Sequence, residues 1–263
     1  MPKKKLWIFG DSYAAPNHGQ PICKRYWEYL KDNFDIDNFA ISGTGPGHSF
    51  KLLADKISKN STVDTSLLFL VSSIYRFDFP FLKNENHQCR LKSLIDNQVS
   101  AEIRKDIEYL EPEKKHIEWF FKNYALTVDY HLTFYHYISS LSVLSNKFEK
   151  TLVWNIFPIF DLDPLAKNFS KHYRDSIAGT SKFQYVNYPL YTLSSLHDTA
   201  VLDPNPAVHD PRPNHFGEEM HDKLGTEIVN YFTNYNYMID IHGLIKEKNI
   251  YYPTSDSHIL DMI

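Results

Sequence analysis

Leu6-Trp7-Ile8-Phe9-Gly10-Asp11-Ser12-Tyr13-Ala14, close to the N-terminus, is the stretch on which the fold reading turns. Four apolar residues, two of them aromatic, run straight into Gly-Asp-Ser. A continuous apolar run closed by a glycine turn reads as a buried strand emptying into a loop. In an open α/β sheet, ligands bind at the carboxyl ends of the strands. Ser12 is therefore expected at the rim of a sheet with its hydroxyl free to reach a substrate. Asp11 and Ser12 are also favoured helix caps, so a capping turn without chemistry stands as the alternative.

Working outward, the pattern alternates strand and helix. Tyr26, Trp27 and Leu30 share one face of a short helix, and Phe34–Ala40 reads as a second strand. The glycine-rich loop Ser42-Gly43-Thr44-Gly45-Pro46-Gly47-His48-Ser49 opens a helix with Phe50, Leu53, Ala54 and Ile57 at i, i+3, i+4 and i+7. Ser66–Val71 is apolar almost throughout, as expected of a strand buried on both faces. Thr151–Pro158 and Phe183–Val186 read as further strands. Glu218–Tyr231 reads as the last clear helix, with Met220, Leu224, Ile228 and Tyr231 facing inward. Such alternation predicts a parallel sheet of about five strands with helices on both sides.

Between these elements lie less regular stretches. Residues 74–98 form a long polar and aromatic insertion without clear period, and loops of that length are usually functional or irregular. Within it Tyr75, Phe77, Phe79 and Phe81 alternate with period two, which suits an edge ribbon or the wall of a pocket. Two helices are expected next. One carries Ile103, Ile107 and Leu110, and the other runs from near Glu113 towards Ser145. After Asn234 the chain becomes tyrosine-rich and aperiodic. The expected division is one domain over residues 1–234 and a C-terminal arm over 235–263 that either packs as an arm or offers a surface for a protein partner or a second copy.

The chain has 263 residues, 43% hydrophobic, 23% charged and 15% aromatic, with a formal net charge of −4. That length supports one large α/β domain. The charge gives no basic face for nucleic acid. No apolar run approaches the roughly 18–20 residues of a membrane helix, and the apolar run after Lys3-Lys4-Lys5 is too short for a signal peptide. A soluble cytoplasmic or host-cell protein is the expectation, without membrane or nucleic-acid partners. Few glycines beside abundant Lys, Asn, Tyr and Ile suit an AT-rich genome such as that of a phage. Two cysteines, Cys23 and Cys89, make neither a disulfide framework nor a metal site. Among the 13 histidines, His131 and His136 are spaced by five, about 500° around a helix, and so point apart. No metal and no cofactor is expected.

Gly10-Asp11-Ser12 after strand one, a glycine loop after strand two and a His-led final helix together resemble the SGNH (GDSL-type) hydrolases. The order of elements is similar from residue 6 to about 233. The resemblance implies a flavodoxin-like three-layer α/β/α sandwich and a serine esterase activity on small acyl esters, lipids or glycans. Tyr13 stands where the motif's name has leucine. Ser12 takes the position of the nucleophile, which needs an adjacent base because a free hydroxyl is a weak one. In Asn38-Phe39-Ala40-Ile41-Ser42-Gly43, Gly43 takes the place of the oxyanion donor, joining the N–H of Ser12. In Asn214-His215-Phe216-Gly217-Glu218-Glu219-Met220-His221, His215 takes the place of the general base, and His221 is a backup or a packing residue.

The sequence departs from the family at two points. The third strand ends in Val71-Ser72-Ser73-Ile74-Tyr75-Arg76 where the family has Gly-x-Asn, leaving Ser72 or Ser73 as oxyanion donors and Arg76 as a substrate anchor. Arg212 stands where the family has the triad Asp, and Asp210 is the nearest carboxylate upstream of His215. Asp11, Tyr13 and His48 are further candidates for substrate contact, and His18 falls in a loop near the site. Three functions follow: an esterase for a small acyl group such as acetyl on a glycan or small molecule, an O-acyltransferase using the same residues, or a degenerate binding protein.

Overall fold

A computed structural model describes residues 3–11, 13–16, 24–41, 44–72, 76–78, 88–92, 100–102, 119, 123, 130–156, 182–186, 190 and 218–246. The strands within 76–102 are described by their backbone. The core is a five-stranded parallel sheet of β1 (Lys4–Phe9), β2 (Phe34–Asn38), β3 (Thr65–Val71), β7 (Thr151–Asn155) and β8 (Phe183–Val186), in spatial order β2-β1-β3-β7-β8. This is the flavodoxin-like arrangement expected from the alternating pattern. The registers pair Phe9 with Phe69 and Val71 with Asn155.

Sequence period decides which face each residue serves. Leu6, Ile8, Leu68, Leu70, Leu152 and Trp154 lie on one face. They pack against α1 (Tyr26–Tyr29) and α4 (Glu218–Thr233). Trp7, Phe9, Leu67, Phe69, Val71 and Val153 lie on the other, against α2 (Pro46–Lys59) and α3 (Tyr130–Leu144). Strand side chains alternate faces, so these two sets build the three layers. Every residue of β3 is buried, as its unbroken apolar run requires. Burying one Leu or Phe contributes about 1.5–3 kcal/mol. A surface pair such as Lys5–Asp37, at 2.9 Å, contributes about 0–1 kcal/mol, so the core sets the fold.

Two glycines mark close approaches. A Cβ on Gly10 would sit 2.8 Å from the Leu70 Cβ, so β1 and β3 come together there only without a side chain. A Cβ on Gly225 would meet the Tyr29 Cβ at 2.8 Å and the Tyr26 carbonyl at 3.1 Å, which explains a glycine inside α4 where it faces α1. Helix α2 begins with Gly45 at its cap and Pro46 in the first turn. Lys56 and Lys59 stand in its last turn, where cations suit the helix dipole.

Lys150, just before β7, is buried and closes the other end of α4. Its ammonium donates to the carbonyls of Tyr231 and of Asn234 (2.9 Å), with Tyr235 and Tyr237 at 3.4 Å. It also lies 3.9 Å from the centre of the Tyr231 ring. Burial pushes its pKa down to about 8. The Tyr231 hydroxyl donates to the Thr151 carbonyl at 2.7 Å, so helix end and strand start form one buried knot.

Two findings revise the expected elements, and a third chooses between the alternatives for the C-terminal arm. The aperiodic stretch 74–98 carries strand backbone: β4 (Arg76–Asp78) and β5 (Gln88–Lys92) pair antiparallel, with β6 (Ser100–Glu102) beyond. Strands of three to five residues rich in charge are too short to print a period. Of the alternating aromatics, Phe77 lies in strand backbone, and Tyr75, Phe79 and Phe81 lie outside the described residues. Within the helical stretch expected from Glu113 to Ser145, the continuous helix described is Tyr130–Leu144, with residues 119 and 123 also helical. The described part of the expected arm, 235–246, packs on the domain. Gln184 of β8 accepts the Ile239 N–H at 2.9 Å and donates to its carbonyl at 3.4 Å. Ile239 and Leu244 join the core, and Leu244 lies in the short helix α5 (Ile241–Lys246). The helix expected around Ile103–Leu110 and residues 247–263 lie outside the described residues. No helix among the described residues is long and apolar enough to cross a membrane.

Candidate active site

Strand order locates the site before any motif does. The sheet grows from β1 to β2 on one side and from β1 to β3 on the other, so the topological switch point lies between β1 and β3. Ligands of such sheets bind at the carboxyl ends beside that point. The Gly-Asp-Ser turn leaves β1 there, and Ser72 leaves β3 there.

Asp11 joins the two strand ends. Its carboxylate is wholly buried. One oxygen accepts the Tyr13 N–H at 3.1 Å and the other accepts the Ser72 hydroxyl at 2.8 Å. The Asp11 carbonyl accepts the N–H groups of Ala14 and Ala15 at 3.0 and 2.9 Å. Side chain and main chain of Asp11 thus hold a tight turn of the kind Asp favours. Ser12 lies outside the described residues, between two that this turn fixes.

The loop after β2 is tied to the same place. The Gly10 carbonyl accepts the Ile41 N–H at 3.1 Å and the Ser49 hydroxyl at 3.4 Å, and the Thr44 hydroxyl, 3.3 Å from that carbonyl, donates to the Ile41 carbonyl at 2.7 Å. Asn38 donates its side-chain amide to the Ala14 carbonyl at 2.7 Å and accepts the Ala40 N–H at 3.0 Å. Gly43 is likewise outside the described residues, but Ile41 before it is bonded to the residue two before Ser12, and Thr44 after it is bonded to Ile41. The local chemistry explains why: Thr and Ser at a helix entry supply short hydroxyl donors that reach a nearby carbonyl.

On the α1 side the turn rests on buried aromatic and charged groups. Burial, and secondarily the charge of Asp11, raise the pKa of the Tyr26 phenol, while Arg25 opposes them. The Arg25 guanidinium donates to the Ala15 carbonyl at 3.4 Å. His221 of α4 accepts the Tyr26 N–H on Nδ1 at 3.2 Å and stacks on the Tyr26 ring at 6.0 Å and 23°. Of the two readings of His221, this is the packing one: it joins α1 to α4.

The remaining sequence candidates divide as follows. Asp11 and Tyr13 are buried and shape the turn, with Tyr13 in the core beside Ala14, Ala15 and Trp27. Ser72 is at the strand end as expected, but its hydroxyl proton is directed at Asp11. To serve as an oxyanion donor it would have to give up that bond. His48 stands half-buried in the first turn of α2, and its Nε2 is buried without a partner. Arg76 lies in β4, described by its backbone. Ser73, Asp210, His215 and His18 lie outside the described residues.

One residue at this rim escaped the sequence reading. Asn155 ends β7, is 2% exposed, and its side-chain N–H₂ has no hydrogen-bond partner. The signal was a polar side chain closing the apolar run Thr151-Leu152-Val153-Trp154-Asn155. A cleft of about 620 Å³ lies at the opposite, amino end of the sheet, where Thr62, Lys147, Lys150 and Lys182 line it. Among the described residues no group of three or more His, Cys, Asp or Glu gathers as a metal site.

The strand order defines an open, doubly wound α/β protein with its topological switch point between β1 and β3. No protein-family model matches the sequence, and no curated protein does either. Among solved structures, the chain is similar to the acetylxylan esterase Axe2 of Geobacillus stearothermophilus, with 13% identity, 90% of this chain and 96% of that one covered, and a TM-score of 0.44. A substituted form of the same enzyme aligns at 12% identity over 91% and 98% of the two chains, with a TM-score of 0.42. A catalytic mutant of it aligns at 11% over 90% and 97%, with a TM-score of 0.39.

Proposed function

We propose that this protein is a serine ester hydrolase acting on a small acyl ester, acetyl foremost, carried by a glycan or small molecule. The observation that carries the reading is the convergence at the switch point. The loop that carries Gly43 is tied to the turn that carries Ser12 by two bonds, from the Ile41 N–H to the Gly10 carbonyl and from the Asn38 amide to the Ala14 carbonyl. A nucleophile and an oxyanion donor need that adjacency, and a loop built only to turn the chain does not.

In this reading the Ser12 oxygen attacks the ester carbonyl carbon while His215 takes the hydroxyl proton. The C=O π electrons move to oxygen, and the N–H groups of Ser12 and Gly43 stabilise the resulting oxyanion. Collapse breaks the bond to the alcohol oxygen, which receives the proton from His215 and leaves an acyl-Ser12. Water, deprotonated by His215, attacks that ester, and a second collapse releases the carboxylic acid and restores Ser12. Asp210 orients His215 and stabilises the imidazolium. Were a sugar hydroxyl to replace water, the same steps would be acyl transfer.

The test is hydrolysis of an aryl acetate by the wild type and by Ser12→Ala, followed by His215→Ala and Asp210→Ala. Ser12→Ala and His215→Ala should abolish turnover while the circular dichroism spectrum is retained. Asp210→Ala should lower kcat with KM little changed. A wild type without turnover across acyl lengths, or a Ser12→Ala variant as fast as wild type, would refute the reading and favour a binding protein on the same fold.

A further inference from the structure

Five buried polar side-chain atoms among the described residues lack a hydrogen-bond partner: the Tyr26 hydroxyl, Trp27 Nε1, His48 Nε2, Thr151 Oγ1 and Asn155 Nδ2. An orphaned buried donor keeps its desolvation cost with nothing to offset it, so such a group persists where something else needs it. Their places differ. Tyr26 and Trp27 belong to the α1 side, and Thr151 stands at the amino end of β7. Only His48 and Asn155 lie at the carboxyl rim on the α2/α3 face. Asn155 shares that face because it follows Val153 by two residues along the strand.

We infer that Asn155 is a catalytic residue whose side-chain amide donates to the oxyanion formed at this rim. The inference rests on the ester hydrolase reading. Three observations support it. First, the register sets Val71 beside Asn155 and Phe69 beside Phe9. Asn155 is therefore level with Asp11 along the strand direction, two strands away, roughly 10 Å at ordinary strand spacing. That span accommodates a Ser-bound tetrahedral carbon, its oxygen and one hydrogen bond to an Asn side chain. Second, the hydroxyl at the end of β3 is committed: Ser72 gives its proton to Asp11 at 2.8 Å. Third, the Asn155 backbone is held rigidly, since it pairs with Val71 and the following Ile156 N–H donates to the Val71 carbonyl at 3.0 Å. A preorganised donor in a buried site acts without reorganising when charge develops.

The test is steady-state hydrolysis of an aryl acetate, with thermal melts, for wild type, Ser12→Ala, Asn155→Ala and Asn155→Leu. The expected result is a fall of about 10²–10³ in kcat for both Asn155 variants with KM nearly unchanged. Their melting points should be at or above that of the wild type, since neither substitution removes a hydrogen bond and Leu replaces an unpaired amide. Ser12-dependent hydrolysis with Asn155 variants as fast as wild type would overturn the assignment and leave the nucleophile standing. So would a change in KM alone, or a melting point lowered in step with activity, which would make Asn155 a substrate contact or a structural residue. No Ser12-dependent hydrolysis in the wild type would overturn the ester hydrolase reading, and this assignment with it.

Discussion

Replacing Ser72 by Ala tests whether Asp11 clamps the two strand ends. The hydroxyl donates at 2.8 Å to a carboxylate that is fully buried, so the substitution removes a charge-assisted bond. Hydrogen bonds to charged groups contribute about 1.5–3 kcal/mol, and the loss should fall in that range. For a chain of this size each kcal/mol moves the melting point by about 2–4 °C, giving a drop of roughly 3–12 °C. The decisive assay is a double-mutant cycle in urea with Ser72→Ala, Asp11→Ala and the pair. Once Asp11 is gone, Ser72→Ala has no such bond to remove, so the two effects should fall short of additive by about 1–3 kcal/mol. Additivity within about 0.5 kcal/mol would refute the clamp, because two residues sharing this bond cannot act independently. The same variant separates two chemical readings of Ser72. A fall of about 10²–10³ in kcat at full stability would make the hydroxyl an oxyanion donor, whereas a lowered melting point with a smaller kcat effect fits the clamp.

Other consequences are equally direct. Gly10→Ala should destabilise by about 1–3 kcal/mol or more, read by urea titration, since the new Cβ has no room beside Leu70. Lys150→Met should loosen the end of α4 and the segment after it, seen as faster amide exchange across residues 231–237, because four carbonyls lose their shared donor. The Lys150 pKa is about 8 when folded and near 10.5 when unfolded, so between those values the unfolded chain holds more protons. Wild-type stability should therefore rise relative to Lys150→Met as pH increases through that window. Tyr237 runs the other way. Burial and its bond to Glu227 at 2.6 Å push its pKa up to about 12, so its contribution is complete below pH 10 and is lost as pH rises through 12. A Tyr237→Phe chain should show a shallower alkaline decline.

Much of the fold was legible because the central strands are buried on both faces and so read as unbroken apolar runs, as in Leu67–Val71 and Leu152–Trp154. Helices α2 and α4 announced themselves through apolar residues on one face. The ribbon at 76–102 did not, because its strands are short and charged. How the start of the arm docks was not legible for a different reason. Ile239 and Leu244 are buried singly, without a periodic run, and their docking depends on Gln184, some fifty residues earlier.

By itself the sequence determined the alternation of strand and helix, the serine turn after the first strand and the glycine loop after the second. These are local properties, written in runs of neighbouring residues. Only the tertiary structure decided what meets what. That β3 lies beside β1 and brings Val71 next to Asn155 of β7 is sheet pairing, and that Asp11 takes the Ser72 hydroxyl and His221 is occupied with Tyr26 are contacts across 61 and 195 positions of chain. No local pattern encodes them, because side chains so far apart are brought together by the burial of the whole sheet rather than by any period in the sequence.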